Sequence, residues 1–150
     1  MHLTEMVGEA VLSTRSDAII AADRRGIIVY WNSGAERIFG FAAAEAIGQS
    51  LDLIIPERLR KRHWDGYTRT IRTGVTRYGA GDVLAVPAVR KDGLVISVEF
   101  TILPFTDRNG QVIGIGAILR DVTVRFGESR ICAKHLLPPR GPVPQFSVAE

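Results

Sequence analysis

The sequence predicts an α+β domain in which an antiparallel sheet carries helices on one face. Three observations carry this. Apolar runs near both ends of the chain read as strands joined by tight turns rich in Asp, Asn and Gly; the segment between the second and third runs reads as helical; and 150 residues suit one core.

Taken in order, residues 3–13 place Leu3, Met6, Val7, Ala10 and Val11 at helical spacing, which predicts a short amphipathic helix ended by Ser16 and Asp17. The run AIIAA at 18–22, the turn Asp23-Arg24-Arg25-Gly26 and the run IIVYW at 27–31 predict a hairpin, with Gly26 free to take positive φ. Asn32 or Ser33 caps a helix through Ala35, Ile38 and Phe39, closed by Gly40, and a further helical turn ends at Gly48. Pro56 suits the first position of a helix running to Arg72 and stopped by Gly74. On that helix Leu59, His63, Tyr67, Thr70 and Ile71 share a face, so His63 points inward. A glycine-bearing loop, 74–81, leads to three strands at 83–89, 94–104 and 112–120, whose turns end in Asp92-Gly93 and Asn109-Gly110. Residues 125–150 hold Pro138, Pro139, Pro142 and Pro144 and read as a flexible extension.

With 46% hydrophobic and 23% charged residues, the composition is that of a soluble globular chain. The single cysteine, Cys132, excludes an internal disulfide and suits a reducing compartment. No apolar run nears the ~18 residues of a membrane span, and Glu5, Glu9, Arg15 and Asp17 interrupt the place of a signal peptide. A cytoplasmic protein without a membrane partner is expected. The net charge of +3 does not require nucleic acid, although residues 57–72 alone carry an excess of four positive charges. Arg58, Lys61, Arg62 and Arg69 read as the solvated side of a helix, since Trp64 and Tyr67 are not arrayed as stacking platforms.

Motifs for catalysis are missing. His2, His63 and His135 lack zinc-site spacing, Gly114-Ile115-Gly116 lacks the third glycine and helix of a dinucleotide site, and no lysine follows Gly79 as in a phosphate loop. Neither a Gly-x-Ser-x-Gly elbow nor a phosphotransfer motif occurs, so an enzyme is not expected. His63 has two readings on its residues: a core histidine bonded to a backbone carbonyl, or a neutral imidazole offered to a metal in a pocket between helix and sheet. A flat, dianionic cofactor such as heme suits the second, with Arg69 or Arg72 near its propionates.

The segments DAIIAADRRGIIVYWNSGAERIFGFAAAEAIGQ (17–49), IPERLR from Ile55, RKDG (90–93) and RDVT (120–123) resemble PAS sensor domains. The resemblance spans residues 16–124, flanked by the 1–15 helix and the 125–150 extension, and implies a five-stranded sheet in the order 2-1-5-4-3 with helices lining a ligand pocket. Within the family, RHWDGYTRTIRTG is similar to the corresponding segment of heme-binding PAS domains of bacterial oxygen sensors, which implies heme b with His63 as the axial ligand, Tyr67 beside it and Arg69 near the propionates. It also places Leu84 where those sensors have a distal arginine, Asp82 where one has a methionine ligand, and Phe100 and Ile102 on the distal wall. An apolar distal side lacks a charge-assisted bond to O₂ and points to CO, NO or redox state as the signal. Flavin attached through a reactive cysteine is excluded, because Cys132 lies beyond the last strand; noncovalent flavin, another small ligand, or no cofactor at all in a module that works by dimerisation stays open. The implied partners are a second copy and a downstream kinase, cyclase or transcription regulator.

Overall fold

The structure, a computed structural model, describes residues 1–76 and 85–123. The expected 125–150 extension, Cys132, Leu84, Asp82 and the 74–81 loop from residue 77 onward lie outside the described residues. The elements are α1 (Leu3–Leu12), β1 (Ala18–Asp23), β2 (Ile28–Trp31), α2 (Ser33–Phe39), α3 (Ala43–Ala46), a 3-10 turn (Leu51–Ile54), α4 (Glu57–Thr73), β3 (Ala85–Val89), β4 (Val95–Thr106) and β5 (Val112–Asp121).

The five strands form one antiparallel sheet in the order β2-β1-β5-β4-β3, as the family resemblance implied. Its first and last strands in sequence are neighbours: Ile20 stands opposite Ala117 and Ala22 opposite Ile115, which closes the N-terminal hairpin onto the C-terminal strand. Because side chains alternate along a strand, Ala18, Ile20, Ala22, Phe100, Ile102, Ile115 and Leu119 share the face that the helices cover.

Two apolar clusters lie on that face. The larger joins Ile20, Ile28, Trp31, Phe39, Val98 and Leu119 beneath α2 and α3; the smaller joins Ala22, Tyr67, Val112 and Ile115 beneath α4. Asn32 caps α2: its side-chain oxygen accepts from the amides of Ala35 and Ile19, and its amide donates to the carbonyls of Thr14 and Asp17. Glycines in the left-handed region end α2 at Gly40 and α4 at Gly74, as their placement in the sequence predicts.

The differences from the sequence reading are local. Pro56 precedes α4 as its N-cap instead of opening it, with extended ψ of 136°. β4 runs past Pro104 to Thr106, because the turn that closes it starts only at Asp107. The turn Leu51–Ile54 was not anticipated; Ser50 caps it by accepting from the Asp52 amide.

Candidate functional site

His63, Trp64 and Tyr67 form a cluster of three rings on α4. Positions three and four apart on a helix are neighbours, so His63 and Tyr67 meet one turn apart, and Trp64 wedges beside both. The ring centroids lie 4.7 Å apart for His63 and Trp64, 5.8 Å for His63 and Tyr67, and 5.4 Å for Trp64 and Tyr67. Two polar contacts hold the cluster to the rest of the molecule. The Trp64 indole N–H donates to the Asp52 carboxylate at 2.8 Å, and the Tyr67 hydroxyl donates to the Asp23 carbonyl. Burial, with the Asp23 carboxylate adding to it, holds the Tyr67 phenol above its ordinary range, so it remains a donor at any physiological pH.

Gly26 is the floor beneath Trp64. At φ 78° it occupies the left-handed region, and a Cβ there would fall 2.1 Å from Trp64 Cη2, so glycine serves both the turn and the indole. Asp52 carries a second load: Arg60 lies 3.8 Å from its carboxylate and reaches back to the backbone carbonyls of Ile55 and Asp52.

The Nδ1 atom of His63 is buried and has no hydrogen-bond partner. The reading of His63 as a core histidine bonded to a backbone carbonyl through this nitrogen is therefore not what the structure has. Desolvation pulls the imidazole pKa down and the nearby Asp52 carboxylate pulls it up, the first being larger, so the ring is held toward its neutral form. A buried unpaired nitrogen costs about 1–3 kcal/mol.

The other sequence-predicted positions divide. Ile102, opposite Ala117 on β4, packs into the same cluster as Tyr67 and Trp64. Phe100, opposite Leu119, packs instead against the larger cluster beneath α2 and α3. Arg69 is exposed, and at about 100° per residue it stands about 120° around α4 from His63, on the solvent side of the helix. Leu84 lies outside the described residues. Trp64 and Asp52 are the two members that sequence reasoning missed. Among the described residues no three His, Cys, Asp or Glu side chains converge on a point.

The PAS fold is the family that the sequence matches, over residues 12–126. The chain belongs to the PAS family. Sensor protein FixL of Bradyrhizobium diazoefficiens is 37% identical over 93 residues, covering 62% of this chain and 18% of that protein. Oxygen sensor protein DosP of Escherichia coli is 30% identical over 101 residues, covering 67% of this chain and 12% of that one. The PAS domain thus spans less than a fifth of the curated relatives it matches. Among solved structures, the PAS domain of a Colwellia psychrerythraea protein superposes with a TM-score of 0.70 at 24% identity, covering 83% of this chain and all of that one, which bears on the fold alone. As a PAS domain the chain is a signal-sensing module, and among its described residues no helix is long and apolar enough to cross a membrane.

Proposed function

We propose that this PAS domain binds heme b through His63, senses a diatomic gas or redox state with it, and acts as a sensor rather than an enzyme. The observation that carries the reading is the buried, unpartnered imidazole nitrogen on the sheet-facing side of α4. The similarity to FixL and DosP, two proteins named as sensors, supports the same choice. When bound, heme supplies an iron that takes up a gas molecule or changes oxidation state.

The chain's own residues then have definite tasks. His63 offers a neutral imidazole, the form that binds a metal, and desolvation keeps it so. Trp64, anchored on Asp52 and seated over Gly26, fixes the plane against which the His63 ring rests. Ile102 supplies an apolar wall on the sheet, Phe100 extends it toward the larger cluster, and Arg69, on the solvent side of α4, would be the cation for a propionate.

The proposed relay is a contact with a second copy through α1, and from there to a downstream signalling protein. None of the α1 side chains is buried, and Leu3, Met6, Val7 and Val11 are all exposed along one side. A helix of ten residues is marginal by itself in water, and covering its apolar stripe would stabilise it.

Hemin titration of the purified chain tests the reading. A Soret band that saturates at one heme per chain, and that His63→Ala abolishes while the far-ultraviolet circular dichroism is unchanged, is the expected result. A chain that gives no specific band at excess hemin overturns it, and leaves the cofactor-free dimer for which the exposed α1 stripe speaks.

A further inference from the structure

A second site lies at the other end of α4, where three elements meet around a cavity of about 460 Å³. The β1–β2 turn contributes Arg24, the last turns of α4 contribute Thr68, Ile71 and Arg72, and the start of β5 contributes Gln111 and Val112. The glycines of two turns, Gly74 and Gly110, form part of its edge and leave it open.

The charges around this cavity are unbalanced. Among the described residues no carboxylate lines it, and the ion pairs include neither Arg24 nor Arg72. The aspartates of the β1–β2 and β4–β5 turns cap their own backbones. Asp23 Oδ1 accepts from the amides of Arg25 and Ile27, and Asp107 Oδ1 accepts from those of Asn109 and Gln111. Arg24 and Arg72, from separate elements, thus line one cavity together with Thr68 and Gln111.

Converging donors of one sign raise the local concentration of the opposite charge. Arginine forks fit the oxygens of a tetrahedral oxyanion in pairs, and neutral donors fill the remaining lone pairs. Ile71 and buried Val112 add an apolar wall, which a bare inorganic ion does not use. We propose that this cavity binds a phosphomonoester, with Arg24 and Arg72 on the phosphate and Ile71 and Val112 against its organic part. Such a ligand would tie the β1–β2 turn to the end of α4, the two elements that the Tyr67 hydroxyl already joins at the Asp23 carbonyl. It would therefore report on the position of the helix that carries His63, whether or not heme is bound there.

The test is an amide NMR titration of the full chain at constant ionic strength, with phenyl phosphate and inorganic phosphate as probes. Expected are saturable shifts at Gly74, Gly110 and Gln111, with phenyl phosphate binding at least roughly threefold tighter than inorganic phosphate. Arg24→Gln and Arg72→Gln should each weaken phenyl phosphate about tenfold or more, while Arg62→Gln, exposed elsewhere on the same helix, should change it by less than about twofold. Shifts that do not saturate, equal affinity for the two probes, or equal weakening by Arg62→Gln would each overturn the proposal. Unchanged amide spectra of the variants without ligand establish that they are folded.

Discussion

Beneath α2 and α3 the buried side chains of Asn32 and Trp31 are matched, although Arg90 Nε, next to the Lys91 whose amide bonds the Phe39 carbonyl, is buried without a partner. The Asn32 side chain satisfies two amides and two carbonyls, and the Trp31 indole N–H reaches the Phe41 carbonyl at 3.0 Å. Beneath α4 the Trp64 and Tyr67 rings are tied down from outside their cluster, and one ring nitrogen of His63 has no hydrogen-bond partner. The first region resembles a core arranged for stability, where one side chain answers several backbone groups. The second keeps an unanswered polar atom in place, and the surrounding contacts fix its position without satisfying it. That contrast marks the α4 side of the sheet as the part on which the heme proposal rests.

The contrast breaks first at Asn32. Asn32→Ala removes the cap of α2 and leaves the buried Ile19 amide without an acceptor, which should cost about 4 kcal/mol. Chemical denaturation measures it. A loss below about 1 kcal/mol would mean that water replaces the side chain, and the region would not be the matched core described above.

A smaller effect is expected at Gly26, on the α4 side. Gly26→Ala places a methyl group in the left-handed region and 2.1 Å from Trp64 Cη2, so the indole must leave its seat and strain the bond to Asp52. About 2 kcal/mol of stability should be lost. The Trp64 fluorescence and indole proton resonance should shift in the same variant, whereas Trp31, held by the Phe41 carbonyl in the other cluster, should keep its signals. Equal change at both tryptophans would show that the two regions are one packing unit.

Much of this was legible in the residues. The hairpin of β1 and β2, the capping of α2 by Asn32 and Gly40, and the inward orientation of His63 all follow from local chemistry: turn residues at fixed offsets and an apolar face recurring every three to four positions. The strand order followed from the family resemblance and not from the strands themselves, since pairing β1 with β5 joins segments from opposite ends of the chain. The turn at Leu51–Ile54 was opaque because four adjacent residues carry no period. The partnership of Trp64 with Asp52 was opaque for a related reason. Trp64 stands one heptad before Ile71, on the same side of α4, but its bond partner lies in a turn twelve residues away that no spacing on the helix reveals. Its one sequence trace is Gly26, which reads as a turn glycine and is also the space the indole occupies.

The smallest expected effect is the most specific to the second region. In the heme-free protein, His63→Phe removes the unpartnered nitrogen while keeping a ring in contact with Trp64 and Tyr67, so stability at neutral pH should change by less than about 1 kcal/mol or increase. The sign of the pH response distinguishes this from ordinary repacking. The folded imidazole has its pKa lowered from 6.5, mainly by desolvation, so below that value the unfolded chain takes up a proton that the folded chain resists. Stability is then fully present above the unfolded pKa and declines as pH falls through the window down to the folded value. Subtracting the His63→Phe profile from that of the unaltered chain should isolate this decline below about pH 6.5, because carboxylates and other groups common to both chains cancel. A flat difference would mean that His63 is as well solvated folded as unfolded, and the contrast between the two regions would then rest on Trp64 and Gly26 alone.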